Sequence, residues 1–316
     1  MGADIQAMAT KNPHQPHDKF FKTAFSRLDV AASFLEQWIP TELSHALDWK
    51  TLQLLSGNFI DQHFKSFQSD LLYKVRFRND LECILILLEH QRKEDPKIWH
   101  RMERYMVGAR DAIQPLSKSM TRVIPMIISQ SPRPWKTSPY LKDSFYYPKN
   151  LKSYMERTFS NEKLEIIELC TMSYEDIQSV PFGVLAVKIL KAKITNELLG
   201  DQIWLDPHML KITPLDLQFL LTYILASRHI DREQFSHRLH QLQSQPIHHK
   251  VMTVLEQYIE EGREEGQTQI LQIQLRQKFK AIPRWAEKRL KSATTKDLIR
   301  WSERILYKNT LKEILE

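Results

Sequence analysis

The feature that most constrains the fold is an alternating segment that is followed, after a turn, by an almost entirely apolar one. Residues 67–77 alternate apolar and polar side chains, which is typical of a β-strand. Asn79-Asp80 is a turn dipeptide, and residues 81–88 (LECILILL) favour a strand buried on both faces. The sequence therefore predicts a β-hairpin whose second strand lies inside a sheet.

The turn of this hairpin sets its register. If Asn79-Asp80 is a two-residue loop, opposed residues have numbers that sum to 159, so Asp70 faces Glu89 and Gln91 lies on the same face. Opposed residues have Cβ atoms about 5 Å apart, and two carboxylates at that distance repel each other. A divalent cation would relieve the repulsion, because Mg²⁺ prefers oxygen ligands. The hairpin therefore predicts a metal site formed by Asp70 and Glu89.

Ordinary ion pairs are the alternative interpretation of these two carboxylates. Glu89 is followed by Arg92 and Lys93, and Asp70 by Lys74, so each carboxylate has a basic residue nearby in sequence. The pattern of residues alone leaves both interpretations open.

The rest of the chain predicts helices around a small sheet. The predicted elements are an amphipathic helix from residue 18 to Pro40, a short helix over 41–47, strands over 52–59, 122–129 and 165–170, a helix over 97–113, a loop over 130–150, and helices from 182 onward. With only 7 glycines and 26% charged residues, the composition favours helices over a strand-rich sandwich. We expect an α/β fold with a small mixed sheet flanked by helices and a helical C-terminal region.

Positive charge is concentrated in two blocks of the chain. Residues 92–152 contain 13 Lys and Arg against 5 Asp and Glu, and residues 261–316 contain 13 against 8. Such blocks suit a polyanion partner, since neutralised phosphates release counterions and drive association. A solvated basic surface without a partner is the alternative interpretation.

Cysteine content and hydropathy predict the compartment. Cys83 and Cys170 are the two cysteines, too few for a disulfide framework, which favours a reducing environment. The sequence shows no apolar stretch of signal-peptide length at its start and no run long enough to span a bilayer. We expect a cytoplasmic protein without membrane association.

Five short motifs carry a resemblance to a known family. They are HDKFFK (17–22), SGNFID (56–61), SDLLY (69–73), LEHQ (88–91) and RMERY (101–105). In order and spacing the chain resembles the Rpn (recombination-promoting nuclease) family, also described as YhgA-like putative transposases, over roughly residues 17–200. That family belongs to the PD-(D/E)XK nuclease superfamily, so the resemblance implies a restriction-endonuclease-like core and hydrolysis of DNA phosphodiester bonds linked to recombination or mobile elements.

The resemblance also implies roles for individual residues. Asp70 and Glu89 would bind Mg²⁺ or Mn²⁺, and Gln91 stands where the superfamily usually has a lysine, so it would position the attacking water by hydrogen bonding while the metal lowers the pKa of that water. Asp61 is a weaker acidic candidate. After the strand over 122–128, the sequence has Ser129-Gln130-Ser131 where the family leads us to expect Tyr-His-Gly.

Three further residues are candidates for the site. Arg101 and Tyr105 on the predicted helix over 97–113 could contact DNA phosphates or could serve only to pack the helix on the sheet. His90 lies between the motif residues but points to the opposite face of its strand, where a buried, supporting role is more common than a catalytic one.

The expected domain organisation has four parts. They are a disordered lead over 1–15, the nuclease-like core over 16–200, a helical extension over 201–261 and a helical tail over 262–316. The tail resembles a short helical domain of unknown function that often accompanies such nucleases. Its amphipathic helices favour homo-oligomerisation or docking over reading DNA.

Other function classes were considered. A catalytically inactive DNA-binding or adaptor protein on the same fold is the main alternative, and a transposase-associated protein is another, although no Asp-Asp-Glu triad spacing is present. The histidines at 237, 240, 248 and 249 fit no common zinc spacing. A Gly-x-Ser-x-Gly turn and a phosphate-binding glycine loop are both absent from the sequence, which excludes those hydrolase and nucleotide-binding classes.

Overall fold

The computed structural model describes residues 16–55, 71–113, 120–158, 161–226, 230 and 232–316. These residues fall into two compact units, one within Pro13–Asp216 and the other within Leu217–Glu316. The predicted domain boundaries at 200 and 261 stay predictions.

The first unit is built on a mixed sheet. Its strands are β1 (Leu47–Leu55), β2 (Leu71–Phe77), β3 (Cys83–Gln91), β4 (Val123–Ser129) and β5 (Glu165–Glu168). They lie in the order β1-β2-β3-β4-β5, in which β2 is antiparallel to both β1 and β3, whereas β4 is parallel to both β3 and β5. This arrangement, with helices on the sheet, confirms the predicted α/β fold class and is consistent with a restriction-endonuclease-like core.

The β2–β3 hairpin has the predicted register. Leu71 pairs with Leu88 and Tyr73 with Ile86, so opposed residue numbers sum to 159 throughout the described pairs. Asn79 in the turn has φ 59°, a left-handed conformation that asparagine tolerates better than most residues. The local turn therefore fixes which residues of β3 share a face.

Two strands extend beyond their predicted bounds, and a third, β5, ends at Glu168 rather than at residue 170. β1 begins at Leu47 rather than residue 52, because Leu47 already pairs with Phe77 of β2; residues 56–59 of the predicted strand lie outside the described residues. β3 continues to Gln91 rather than ending at residue 88, because its last residues pair with β4. A long-range strand partner, which the local pattern does not reveal, extends β1 and β3.

Two helices replace the single amphipathic helix predicted before Pro40. α1 (Pro16–Phe25) ends and α2 (Leu28–Trp38) begins on either side of Arg27, which has extended backbone angles (φ −74°, ψ 120°). The Arg27 guanidinium pairs with Asp29 at 3.0 Å and with Asp216 at 2.7 Å, and it lies 4.4 Å above the ring of Phe182. Tertiary contacts of one residue thus break a pattern that is periodic in sequence.

The remaining helices of the first unit follow the prediction, except for Lys152–Thr158, over which the sequence predicts no helix. They are α3 (Thr41–Ala46), α4 (Ile98–Ile113), α5 (Lys152–Thr158), α6 (Pro181–Thr195), α7 (Asp201–Trp204) and α8 (His208–Lys211). The segment predicted as a loop over 130–150 is irregular except for two short 3₁₀ turns, Leu141–Ser144 and Lys149–Leu151.

One face of the sheet is covered by α4. Apolar side chains of the helix, including Trp99 and Met102, form a buried cluster with Leu85 and Leu87 of β3 and Ile127 of β4. Because side chains alternate along a strand, Glu89 and Gln91 belong to this same face, whereas His90 belongs to the other. The core therefore positions the polar end of β3.

The second unit is helical. Its helices are α9 (Pro214–Leu225, beginning in the first unit), α10 (Arg232–Gln241), α11 (Pro246–Phe279), α12 (Arg284–Lys291), α13 (Thr295–Arg304) and α14 (Leu311–Leu315). α11 runs through Gly262 and Gly266, and Pro283 precedes α12, as the break predicted there requires. In the part of the chain that is described, no helix is both long and apolar enough to cross a membrane.

The end of the second unit has its own core. The apolar faces of α11 to α14 pack against one another through Leu271, Leu275, Ala286, Leu290, Leu298, Trp301, Ile305, Ile314 and Leu315. These helices therefore bury part of their apolar residues within the chain, whereas Ile270, Ile273, Trp285 and Ile299 are exposed. Homo-oligomerisation through them stays a prediction.

Candidate functional site

The carboxyl end of β3 carries the predicted acidic residue Glu89. Its side chain is only 4% exposed, and its backbone pairs with Ile127 in the middle of the sheet. Burial of an ionised carboxylate is unfavourable unless hydrogen bonds or a cation compensate for its charge. A carboxylate at this depth is thus suited to binding a cation.

Gln91 lies beside Glu89 on the same face of β3. Its amide Nε2 donates to Glu89 Oε2 at a long distance of 3.4 Å, and its side chain is partly exposed. Its backbone carbonyl accepts from Gln130 N at 2.7 Å, which fixes the end of the strand. Gln91 is therefore held next to Glu89 while its amide still reaches the surface.

The predicted partner carboxylate, Asp70, and the weaker candidate, Asp61, lie outside the described residues. The described hairpin pairs end at Leu71 and Leu88, the residues that follow Asp70 and precede Glu89 in sequence.

His90 points to the opposite face, as predicted, and is buried there. Its ring stacks on Phe21 of α1, with centroids 4.9 Å apart and planes 18° apart. Its Nε2 lies 3.2 Å from Gln130 Oε1, while Gln130 Nε2 donates to Leu190 O of α6 at 2.7 Å. Because that bond leaves the amide oxygen facing the imidazole, Nε2 of His90 is the protonated nitrogen.

Burial keeps this imidazole neutral. It lowers the pKa of His90 to about 4, although the hydrogen bond that His90 donates to Gln130 and the charge of Asp18 act in the opposite direction. His90 therefore ties α1 and α6 to the strand that carries Glu89, and its contacts are those of a supporting residue.

A second histidine lies near positive charges at the start of α1. Burial, together with the charges of Arg92 and Lys193, lowers the pKa of His17 to about 4. Burial and the charge of Arg92 also lower the pKa of Lys193. Positive charge from the residue after β3 and from the end of α6 is thus concentrated near His17.

Arg101 lies on α4, the helix that covers the Glu89 face. Its Nη1 donates to Asp95 Oδ2 at 3.0 Å, whereas its Nε and Nη2 are buried without a hydrogen-bond partner among the residues that the structure describes. A buried donor without an acceptor destabilises the folded protein, because it has lost its hydrogen bonds to water. Arg101 therefore has donors suited to an anionic oxygen.

Tyr105, one turn further along α4, is 8% exposed and belongs to the apolar cluster under the helix. Packing of the helix on the sheet, one of the two roles considered for it, accounts for this position. Contact with DNA stays a prediction for both Arg101 and Tyr105.

Sequence reasoning missed Gln130 and Phe21 as parts of the site. Gln130 belongs to the Ser129-Gln130-Ser131 segment that departs from the family pattern, and all three of these residues are buried. Its contact with His90 depends on the parallel register of β3 and β4, which no local pattern reveals. Phe21 lies within the motif HDKFFK (17–22), but that motif does not indicate that its ring stacks on His90.

The residues around Glu89 offer a partial set of ligands for a divalent metal. Among the described residues, no group of three or more His, Cys, Asp or Glu side chains is arranged to hold a metal ion. Mg²⁺ needs fewer protein ligands than that, because one or two carboxylates with waters and substrate phosphates complete its shell. The Glu89 carboxylate, with the Gln91 side chain beside it, fits such a partial set of oxygen ligands.

Comparison with known proteins gives one family match. Residues 15–206 match the family model described as "Putative transposase, YhgA-like". The match covers β1 to β5 and therefore both candidate site residues that the structure describes on β3.

Curated relatives include several recombination-promoting nucleases. The chain is 28% identical over 250 residues to Recombination-promoting nuclease RpnD of Escherichia coli O157:H7, which covers 76% of this chain and 93% of that protein. It is 26% identical over 276 residues to RpnA of Escherichia coli K12, covering 85% and 91%. It is also 24% identical over 263 residues to an inactive nuclease-like protein of that strain, RpnE, covering 82% and 86%. No solved structure matches significantly.

Proposed function

Because the chain belongs to the YhgA-like putative transposase family, we propose that it is a metal-dependent DNA endonuclease that acts in recombination. The observation that carries the proposal is the buried carboxylate of Glu89, next to Gln91, at the end of a central strand. Several relatives are named recombination-promoting nucleases, which supports hydrolysis of phosphodiester bonds as the reaction.

In this proposal Glu89 holds the metal together with Asp70. A bound Mg²⁺ or Mn²⁺ supplies charge neutralisation at the scissile phosphate and lowers the pKa of a water molecule. Glu89 is suited to this role because pairing with Ile127 of β4 fixes its backbone, which leaves its side chain little freedom to move away.

Gln91 orients the attacking water. Its amide has both a donor and an acceptor, so it can hold a water by its proton or by its oxygen, but it cannot carry the charge that a lysine would bring. Water then attacks phosphorus, the bond from phosphorus to one bridging oxygen breaks, and that oxygen leaves as a hydroxyl after gaining a proton.

Arg101 binds a non-bridging phosphate oxygen of the DNA. Its side chain is 31% exposed, and a guanidinium binds phosphate through paired, charge-assisted hydrogen bonds. The ion pair with Asp95 holds the guanidinium in place before DNA arrives.

A second candidate function is a DNA-binding protein without cleavage. Two observations favour it: residues 129–131 depart from the pattern that the family leads us to expect, and a relative that aligns with most of this chain is named inactive. Such a protein would bind DNA at the same site and leave it intact.

Cleavage and binding measured in parallel distinguish the two candidates. We expect the purified chain to convert supercoiled plasmid to nicked or linear DNA with Mg²⁺ or Mn²⁺ and to leave it intact in EDTA. DNA binding without any cleavage, in either metal, would favour the inactive alternative.

A further inference from the structure

The C-terminal helices contain a second concentration of positive charge, distant in sequence from the candidate site. Residues 276–312 include 12 Lys and Arg but only 3 Asp and Glu. Part of the apolar side chains of this segment, including Leu290, Leu298 and Trp301, are buried in the cluster of α11 to α14, whereas Trp285, Ile299, Leu306 and Tyr307 are exposed. Among the charged residues that the segment presents to solvent, most are basic.

α12 arranges part of this charge on one side. Ala286 and Leu290 face the cluster, whereas Arg284, Lys288 and Lys291 are exposed. The three basic residues have the spacing i, i+4, i+7, so they share the helix side that faces away from Ala286 and Leu290. We name these three residues the basic stripe.

One carboxylate lies near the basic stripe on its own helix: Glu287, three residues from Arg284 and four from Lys291. Over residues 232–316, as far as they are described, no carboxylate lies within ion-pair distance of its three residues, although neighbouring Arg276 reaches Glu287 at 4.0 Å and Arg300 reaches Asp297 at 2.9 Å. Like charges at this spacing repel each other and weaken a helix. A polyanion bound along the stripe would relieve that repulsion.

The dimensions of the stripe fit a phosphate backbone. The seven steps from Arg284 to Lys291, at 1.5 Å rise each, span about 10 Å, and phosphates of one B-DNA strand follow one another at about 3.4 Å along the helix axis. The stripe is therefore long enough to neutralise about three phosphates, and side chains of lysine and arginine adapt readily to their positions.

We propose that the basic stripe binds the phosphate backbone of duplex DNA without reading its sequence. The choice of DNA among polyanions rests on the proposed function. The stripe would hold DNA on the protein through contacts that are separate from the Glu89 site, so its contribution is to affinity and not to the chemical step.

Salt dependence of DNA binding tests the stripe. The full chain and the variant Arg284→Gln/Lys288→Gln/Lys291→Gln are titrated onto a labelled duplex in EDTA, by fluorescence anisotropy, at several salt concentrations. The slope of log affinity against log salt should become less steep by about 0.9 for each lost contact, hence by roughly two to three. Affinity at low salt should fall by about tenfold or more.

Two matched variants control this measurement. Arg276→Gln/Lys296→Gln/Lys312→Gln removes the same charge from exposed positions outside the stripe and should retain most of the slope. Arg284→Lys/Lys288→Arg/Lys291→Arg keeps the charge and should bind as the wild type does. Circular dichroism should show unchanged helix content, since the stripe faces away from the core.

An unchanged salt slope in Arg284→Gln/Lys288→Gln/Lys291→Gln would overturn the proposal. An equal decrease of the salt slope in Arg276→Gln/Lys296→Gln/Lys312→Gln would also overturn it. So would a loss of binding to anionic lipid vesicles without a loss of DNA binding, which would make the stripe a membrane surface. Because EDTA prevents metal-dependent cleavage, the binding measurement tests the stripe independently of nuclease activity. A chain that binds DNA through the stripe but does not cut DNA when Mg²⁺ or Mn²⁺ is supplied would refute only the proposed nuclease.

Discussion

At the scale of single residues, two variants distinguish a phosphate contact of Arg101 from a purely structural ion pair with Asp95. Arg101→Gln should weaken DNA binding and make its salt slope less steep by about 0.9, because one cationic contact is lost. Asp95→Asn breaks the same ion pair but keeps the guanidinium, so its slope should match that of the wild type. The measurement is anisotropy of a labelled duplex without metal. Equal losses in both variants would show that Arg101 acts only through Asp95.

His90 gives a prediction for pH. Its pKa in the folded chain, about 4, lies below the ordinary value of 6.5, so its contribution to stability is complete above pH 6.5 and is lost as the pH falls toward 4. The loss amounts to at most about 3 kcal/mol. In urea unfolding, His90→Gln should lower stability at pH 7 but flatten its decline between pH 6.5 and 4.

The exposed residue His45 provides the control for this experiment. His45→Gln should keep the pH dependence of the wild type, because the side chain is in water in both states. A decline with pH that is identical in His90→Gln and the wild type would contradict the burial of a neutral imidazole.

At the scale of secondary-structure elements, the sequence predicted what local interactions determine. The hairpin register was correct because the turn at Asn79 and the alternation of β2 lie within a few residues of each other. The break at Arg27 and the extension of β3 to Gln91 were missed, because distant partners such as Asp216 and Ser129 cause them. The contact of His90 with Gln130 was missed for the same reason.

Two glycines in helices should respond to alanine in opposite ways. A Cβ added at Gly183 in α6 would lie 2.2 Å from Ser179 Oγ and 3.1 Å from Val30, and Ser179 is already hydrogen-bonded to Ser33 at 2.6 Å. Gly183→Ala should therefore destabilise the chain by about 1–3 kcal/mol.

Gly262 in α11 is the matched case. A Cβ there meets nothing within 4 Å, so Gly262→Ala should stabilise the helix by about 0.5–1 kcal/mol. Differential scanning calorimetry of both variants measures the two shifts. A stabilising effect of Gly183→Ala would show that α6 is packed less closely against α2 than the structure indicates.

At the scale of the whole molecule, the chain combines a mixed-sheet unit of the YhgA-like family with a helical unit that has its own core. The hairpin register predicted that Glu89 and Gln91 share a face, and strand β3, which extends further than predicted, includes both residues. Asp70 stays a prediction, since it lies outside the described residues. The basic stripe was not predicted, because its charges form a single face only once α12 packs through Ala286 and Leu290.

The central claim is that Glu89 provides an essential part of a metal-dependent nuclease site. The most direct measurement is single-turnover cleavage of plasmid DNA with Mg²⁺ by the wild type, Glu89→Gln and Glu165→Gln. Glu165→Gln is the control because it makes the same change at the first residue of β5, whereas Glu89 lies near the last residue of β3. We predict cleavage by the wild type and Glu165→Gln, and a loss of at least about a hundredfold in Glu89→Gln with its thermal stability retained. Cleavage by Glu89→Gln at the wild-type rate would contradict the account.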